Sequence, residues 1–141
     1  MAWLLDTNIL SELRRPKPSL KVEAFLEAKP LEELYVSVVT LAELRFGIEQ
    51  VDEPARRVAI HDWLDQIVRP MFDGRILPVT EDIMLKWRLL VEEGRKVGHT
   101  YPQPDLIIAA TAIEHGLTLV TRDRRGFDKV SVGVLNPWET T

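Results

Sequence analysis

Short, β-rich apolar runs alternate with longer stretches of helical period along this chain, and that alternation restricts the fold more than any other feature. Trp3 to Leu5 reads as a first strand, Tyr35 to Val39 as a second and Arg75 to Val79 as a third. Leu117 to Thr121 reads as a fourth and Val130 to Leu135 as the last. Helical stretches fill the gaps. The first, Asn8 to Arg14, is stopped by Pro16 and Pro18. The second starts at the cap Ser19 and runs to about Ala28, with Leu20, Phe25 and Leu26 on its apolar side. Two more cover Leu41 to Gln50 and Pro54 to Ile67, the latter with Ile60, Trp63, Leu64 and Ile67 on one face. Thr80 caps a helix to about Lys96. Pro104 suits the first position of a helix to about Glu114, which is apolar on several sides, is therefore expected to be buried, and ends at Gly116. The order β-αα-β-αα-β-αα-β-β predicts an α/β domain around a mostly parallel sheet. The 141 residues suit one domain, 1–141, with neither internal repeat nor long linker.

Composition matters here for what it excludes. Without cysteine there is no disulfide, thiolate nucleophile or cysteine zinc site. No apolar run approaches a membrane span, and the first residues lack the basic flank of a signal peptide, so no membrane association and a cytoplasmic location are expected. His61, His99 and His115 are dispersed, without the paired spacing of a helical zinc site. The four tryptophans are expected mostly in the core. A net charge of −4 argues against binding nucleic acid by charge alone. That sum changes if some carboxylates serve a metal: with four of the 22 acids set aside, 18 remain against 18 basic side chains.

In a parallel α/β sheet, helix N-termini collect at the carboxyl edge of the strands, where ligands bind. Four acids fall at that edge. Asp6 follows the first strand, Glu43 lies in the first turn of the helix after the second strand, Asp105 opens the buried helix, and Asp123 lies two residues beyond Thr121. Each has a plain structural explanation. Asp6 could cap the first helix, Glu43 could complete a capping box with Thr40, Asp105 could complement a helix dipole, and Asp123 could form an Asx turn. Together, four like charges at one edge repel one another and call for a cation. Hard divalent ions prefer such oxygen ligands and promote phosphoryl chemistry.

The residues around these acids are more specific. Leu4-Leu5-Asp6-Thr7-Asn8-Ile9-Leu10-Ser11-Glu12-Leu13 resembles the opening motif of PIN-domain nucleases. Ser37-Val38-Val39-Thr40-Leu41-Ala42-Glu43-Leu44-Arg45-Phe46-Gly47 resembles the second motif, Pro104-Asp105-Leu106-Ile107-Ile108-Ala109-Ala110-Thr111-Ala112 the third, and Leu119-Val120-Thr121-Arg122-Asp123 the fourth. Leu135-Asn136-Pro137-Trp138 resembles the ending common in the VapC/FitB-like toxin branch. The resemblance spans residues 3 to 138 and implies a five-stranded parallel sheet between helices, Mg2+- or Mn2+-dependent cleavage of RNA, a homodimer, and inhibition by a cognate antitoxin. It assigns Asp6, Glu43, Asp105 and Asp123 to the metal site, Thr121 to the hydroxyl position, and Asn8 to an accessory polar position. One stretch departs from the pattern. Many toxins of this branch have Asn at the place of Asp123 and Asp at the place of Gly126, so the fourth carboxylate has moved along the chain; Asp128 is the other acid nearby.

The reaction expected is hydrolysis of an RNA phosphodiester, with Thr121 orienting water or phosphate. Arg14, Arg15, Arg45, Arg122, Arg124 and Arg125 are the candidate phosphate contacts, or else part of a solvated surface. Ile9, Leu10, Leu13 and Phe25 suit either a partner groove or the core. Two other classes fit less well. An aspartyl phosphotransferase would need an acid where Asn8 stands, and a catalytically silent PIN-like binding module would not need all four acids.

Overall fold

The computed structural model describes residues 1–139. Its centre is a five-stranded, all-parallel sheet in the order β3-β2-β1-β4-β5. The strands are β1 (Trp3–Leu5), β2 (Leu34–Ser37), β3 (Ile76–Leu77), β4 (Thr118–Val120) and β5 (Val134–Leu135). The chain builds outward from β1 to β2 and β3, then returns to the other side of β1 for β4 and β5. That reversal leaves a crevice beyond the carboxyl ends of β1 and β4, the place where open α/β sheets bind ligands. All three residues of β1 are buried, as a central strand covered on both faces requires.

Around the sheet lie α1 (Thr7–Leu13), α2 (Leu20–Glu27), α3 (Val38–Glu49), α4 (Pro54–Trp63), α5 (Arg69–Met71), α6 (Glu81–Lys96) and α7 (Gln103–His115). The core falls into two clusters, one on each side. Leu5, Ile9, Val36 and Leu64 belong to one, and Leu4, Ile108, Ala109 and Leu119 to the other. Leu4 and Leu5 fall in different clusters because successive strand residues face opposite ways. Helix α7 carries a run of fully buried residues from Ile108 to Ala112, as its apolar composition requires. Gly116 ends it in a left-handed conformation, φ +66°, that a Cβ would disfavour. No helix among the described residues is long and apolar enough to cross a membrane.

Local chemistry shifts several boundaries. Ser19 and Thr80 cap α2 and α6 as expected. Helix α3 starts at Val38, because the Ser37 hydroxyl accepts from the Val39 N–H and ends the strand early. Thr40 is therefore inside the helix, no capping box forms with Glu43, and Glu43 sits in the second turn. Leu20 is 82% exposed, and Val22 takes its place in the core. The helix from Pro54 passes through a π turn at Leu64–Val68 before α5. The extra residue in that turn rotates the apolar face by one position, so Val68 is buried and Ile67 is 51% exposed. The final strand shrinks to Val134 and Leu135, with a 3-10 turn at Arg125–Phe127 and bends before it.

Candidate active site

Asp6 leaves β1 at the crevice and starts α1. One carboxylate oxygen accepts the Thr7 N–H at 2.7 Å, so the capping reading is correct. The other accepts the Thr121 hydroxyl at 2.8 Å. Asp6 is only 5% exposed. Thr121, just past β4, is fully buried. Its hydroxyl donates to Asp6 and accepts from the Asn8 amide and the Asp123 N–H, each at 3.1 Å. The one hydroxyl proton of Thr121 is thus engaged by Asp6. The Asn8 side-chain oxygen in turn accepts the Arg122 N–H at 3.3 Å, tying α1 to the loop after β4 a second time.

The other acids arrive from three further elements. The Thr7 hydroxyl donates to Glu43 at 2.7 Å and lies 3.4 Å from the Thr40 hydroxyl, which holds the second turn of α3 against the start of α1. Asp105 is half-buried in the first turn of α7. Asp6, Glu43 and Asp105 line one open pocket of about 580 Å³. Asp123 stands outside that lining but close enough for its charge to act on Asp6 and Asp105. Its carboxylate accepts the Gly126 N–H at 3.1 Å, an Asx-type turn. A Cβ on residue 126 would lie 2.5 Å from Asp123 Oδ2, so the acid at 123 occupies space that any side chain at 126 would need. Asp128 is exposed and outside the pocket.

The electrostatics follow from this crowding. Burial pushes the Asp6 carboxyl up; hydrogen bonds from Thr121 and Thr7 oppose that rise, and Glu43 and Asp123 add to it. Asp105 is pushed up to about 6, first by burial and then by Asp6, Glu43 and Asp123. Among the described residues no group of three or more His, Cys, Asp or Glu side chains stands close enough together to hold a metal ion; Asp6, Glu43 and Asp105 stand around an open pocket instead. The candidate donors are all hard carboxylate oxygens that repel one another, a set whose chemistry suits a hard divalent cation.

Arg14, Arg15 and Arg122 line the pocket rim. Arg45, Arg124 and Arg125 do not. Arg45 is two residues from Glu43, about 200° around the same helix, and Arg124 sits 3.8 Å from Glu139. Of the expected core tryptophans, Trp3 is buried, but Trp138 also lines the pocket, with the Arg122 guanidinium 4.9 Å from its ring. Ile9 and Leu10 are core, Phe25 packs edge-on against Trp3, and Leu13 lines an apolar groove with Leu26, Leu31 and Met71. Sequence reasoning missed Glu12, a pocket residue 5% exposed, whose carboxylate accepts the Ser19 N–H at 2.8 Å and pairs with Arg15 at 3.2 Å. The Ser19 N–H first, with help from Arg15 and Arg122, holds its carboxyl below the usual range. The available signal was the polar stripe Asn8, Ser11, Glu12 and Arg15 at helical spacing on an otherwise apolar helix.

Comparison with known proteins adds an independent line. The family model described as PIN domain matches residues 3–133. Toxin FitB of Neisseria gonorrhoeae is 39% identical over 135 residues, 96% of this chain and 97% of that protein. VapC ribonuclease Y4jK of Sinorhizobium fredii is 37% identical over 136 residues, again 96% of this chain and 97% of that protein. The crystal structure of FitAcB from Neisseria gonorrhoeae matches with a TM-score of 0.92 and 38% identity, covering 98% of this chain and 99% of that one.

Proposed function

This chain belongs to the PIN-domain family, and from that premise we propose that it is a ribonuclease toxin in which Asp6, Glu43, Asp105 and Asp123 hold Mg2+ or Mn2+ for endonucleolytic hydrolysis of RNA. The observation that carries this reading is the convergence of Asp6, Glu43 and Asp105, from three separate elements, on one pocket rimmed by Arg14, Arg15 and Arg122. A bound divalent ion supplies Lewis-acid charge for the phosphoryl group and makes water a better nucleophile. The protein's own part is placement. Thr7 and Thr121 fix the two oxygens of Asp6, Thr7 also fixes Glu43, and Asn8 braces Thr121. The three arginines bind the flanking phosphates, drawing RNA toward a site that is itself acidic. Arg45, Arg124 and Arg125 belong to the exposed surface outside this contact.

The test is cleavage of mixed RNAs with Mg2+ or Mn2+, with chelator, and with Asp6→Asn. Metal-dependent cutting falls by at least about a hundredfold in a folded Asp6→Asn protein, in line with loss of one metal ligand. Equal cutting by that variant overturns the assignment.

Two partners belong to the same reading. A toxin must be restrained in the cell that makes it, and a cognate antitoxin acting in the cytoplasm fits. The groove lined by Leu13, Leu26, Leu31 and Met71 offers it an apolar seat. A homodimer is proposed through the depression formed by Val39, Ala42, Phe46, Pro104 and Ile107, where Phe46 is 67% exposed.

A further inference from the structure

The segment from Asn136 to Trp138 lies far from the first three acids in sequence, yet it is built into the pocket wall. Asn136 is buried, and its side-chain amide donates to the Arg122 carbonyl at 3.1 Å. Its side-chain oxygen accepts the Trp138 N–H at 2.9 Å, which bends the chain so that the indole returns to the loop after β4. Trp138 packs with one part of its side chain against the core cluster containing Leu5 and Val120, and Arg122 lies over its ring. Arg122 is therefore held from several directions. Its N–H is bound by Asn8 on α1, its carbonyl by Asn136, its guanidinium rests against Trp138, and the buried Glu12 carboxylate acts on its charge from α1.

This is more restraint than an exposed arginine ordinarily receives. A free arginine side chain loses much of its rotamer entropy when it is fixed on a ligand. An indole that already orders the guanidinium lowers that loss. A cation held over a ring face can still donate its guanidinium N–H groups to phosphate oxygens.

Resting on the ribonuclease reading, we propose that Trp138 is a positioning residue that holds the Arg122 guanidinium at the pocket rim to bind a backbone phosphate of RNA. Asn136 sets the bend that brings the two together. Trp138 acts through Arg122 and does not itself stack on a base.

The test is a double-mutant cycle on binding of a fluorescently labelled, unstructured oligoribonucleotide of mixed sequence. It is read by anisotropy in an Asp6→Asn background that leaves the RNA uncut. Trp138→Leu weakens binding by about threefold to tenfold, the range of a cation–π contact. Trp138→Phe, which keeps a ring, recovers part of the loss. Once Arg122→Ala is in place, Trp138→Leu has no further effect. Arg122→Lys, which leaves the core untouched and keeps the charge, loses affinity nearly as Arg122→Ala does, because an ammonium cannot stack and fork at once. Equal losses from Trp138→Leu with and without the Arg122→Ala substitution overturn the proposal, as does RNA binding that no Trp138 variant alters. A Trp138→Leu effect on Mn2+ affinity without one on RNA also overturns it. Failure of the parent protein to bind RNA at all would instead bring down the ribonuclease reading, and this inference with it.

Discussion

At the scale of single residues, the site stores electrostatic repulsion among its carboxylates, which a bound cation would relieve. Asp105 shows how. Its carboxyl is pushed up from the ordinary 3.8 to about 6, so the folded protein keeps a proton that the unfolded chain releases between those values. Stability contributed by that proton is present at low pH, falls as pH rises through the interval, and is absent above about 6. The metal-free protein is therefore expected to melt higher when Asp105→Asn is made, with a gain at pH 8 and little change at pH 4. Thermal scans with chelator at both values measure it. In the parent protein, the rise in melting temperature induced by Mn2+ is small at pH 4 and large at pH 8. Gly126 supplies a second prediction. A methyl group there meets the Asp123 carboxylate at 2.5 Å, so Gly126→Ala must displace that carboxylate. Mn2+ affinity by calorimetry falls about tenfold, as for other residues that support a ligand, while the melting temperature barely moves. Asp6, Glu43, Asp105 and Asp123 can be found in the sequence because family motifs surround each of them. The roles of Thr7 and Trp138 cannot, because Thr7 bonds to Glu43 and Trp138 meets Arg122 only once the folded chain brings them near, whereas Glu12, paired locally with Arg15 and Ser19, leaves a readable polar stripe.

At the scale of elements, legibility depends on whether a boundary is set locally. Ser19, Thr80 and Gly116 mark their helix ends through bonds or backbone angles within a few residues, and all three are readable. The start of α3 is not, because Ser37 and Thr40 are both capping residues, and only the position of β2 against β1 and β3 selects Ser37. The π turn leaves no mark in the residue pattern. A straight α-helical reading puts Ile67 inside, whereas the turn buries Ile60, Leu64 and Val68 at steps of four. Val68→Ala should destabilise the protein by about 2 kcal/mol through lost methyl groups and the cavity they leave. Ile67→Ala should change stability by less than about 0.5 kcal/mol. Urea unfolding of the two variants side by side decides the phase of the helix.

At the scale of the whole molecule, the strand order brings Asp6, Glu43 and Asp105, each from a different element, to one pocket, with Asp123 just outside its lining. The same order leaves a largely apolar depression beside Glu43 that a monomer would leave wet, with Phe46 67% exposed in its lining. Phe46→Glu should convert the proposed dimer to a monomer at micromolar concentration, read by light scattering after size exclusion, because an unpaired charge cannot be buried there. A parent protein that is monomeric over that range removes the dimer from the reading.

The bond between Thr121 and Asp6 joins positions 115 residues apart. During translation the chain grows at about 5–20 residues per second, so roughly 6–23 s separate the emergence of these two partners. Through that interval the amino-terminal acid is already exposed, yet β4 does not exist to stand beside β1 and fix it. A chain stopped short of β4 therefore lacks the bond that fixes its first acid.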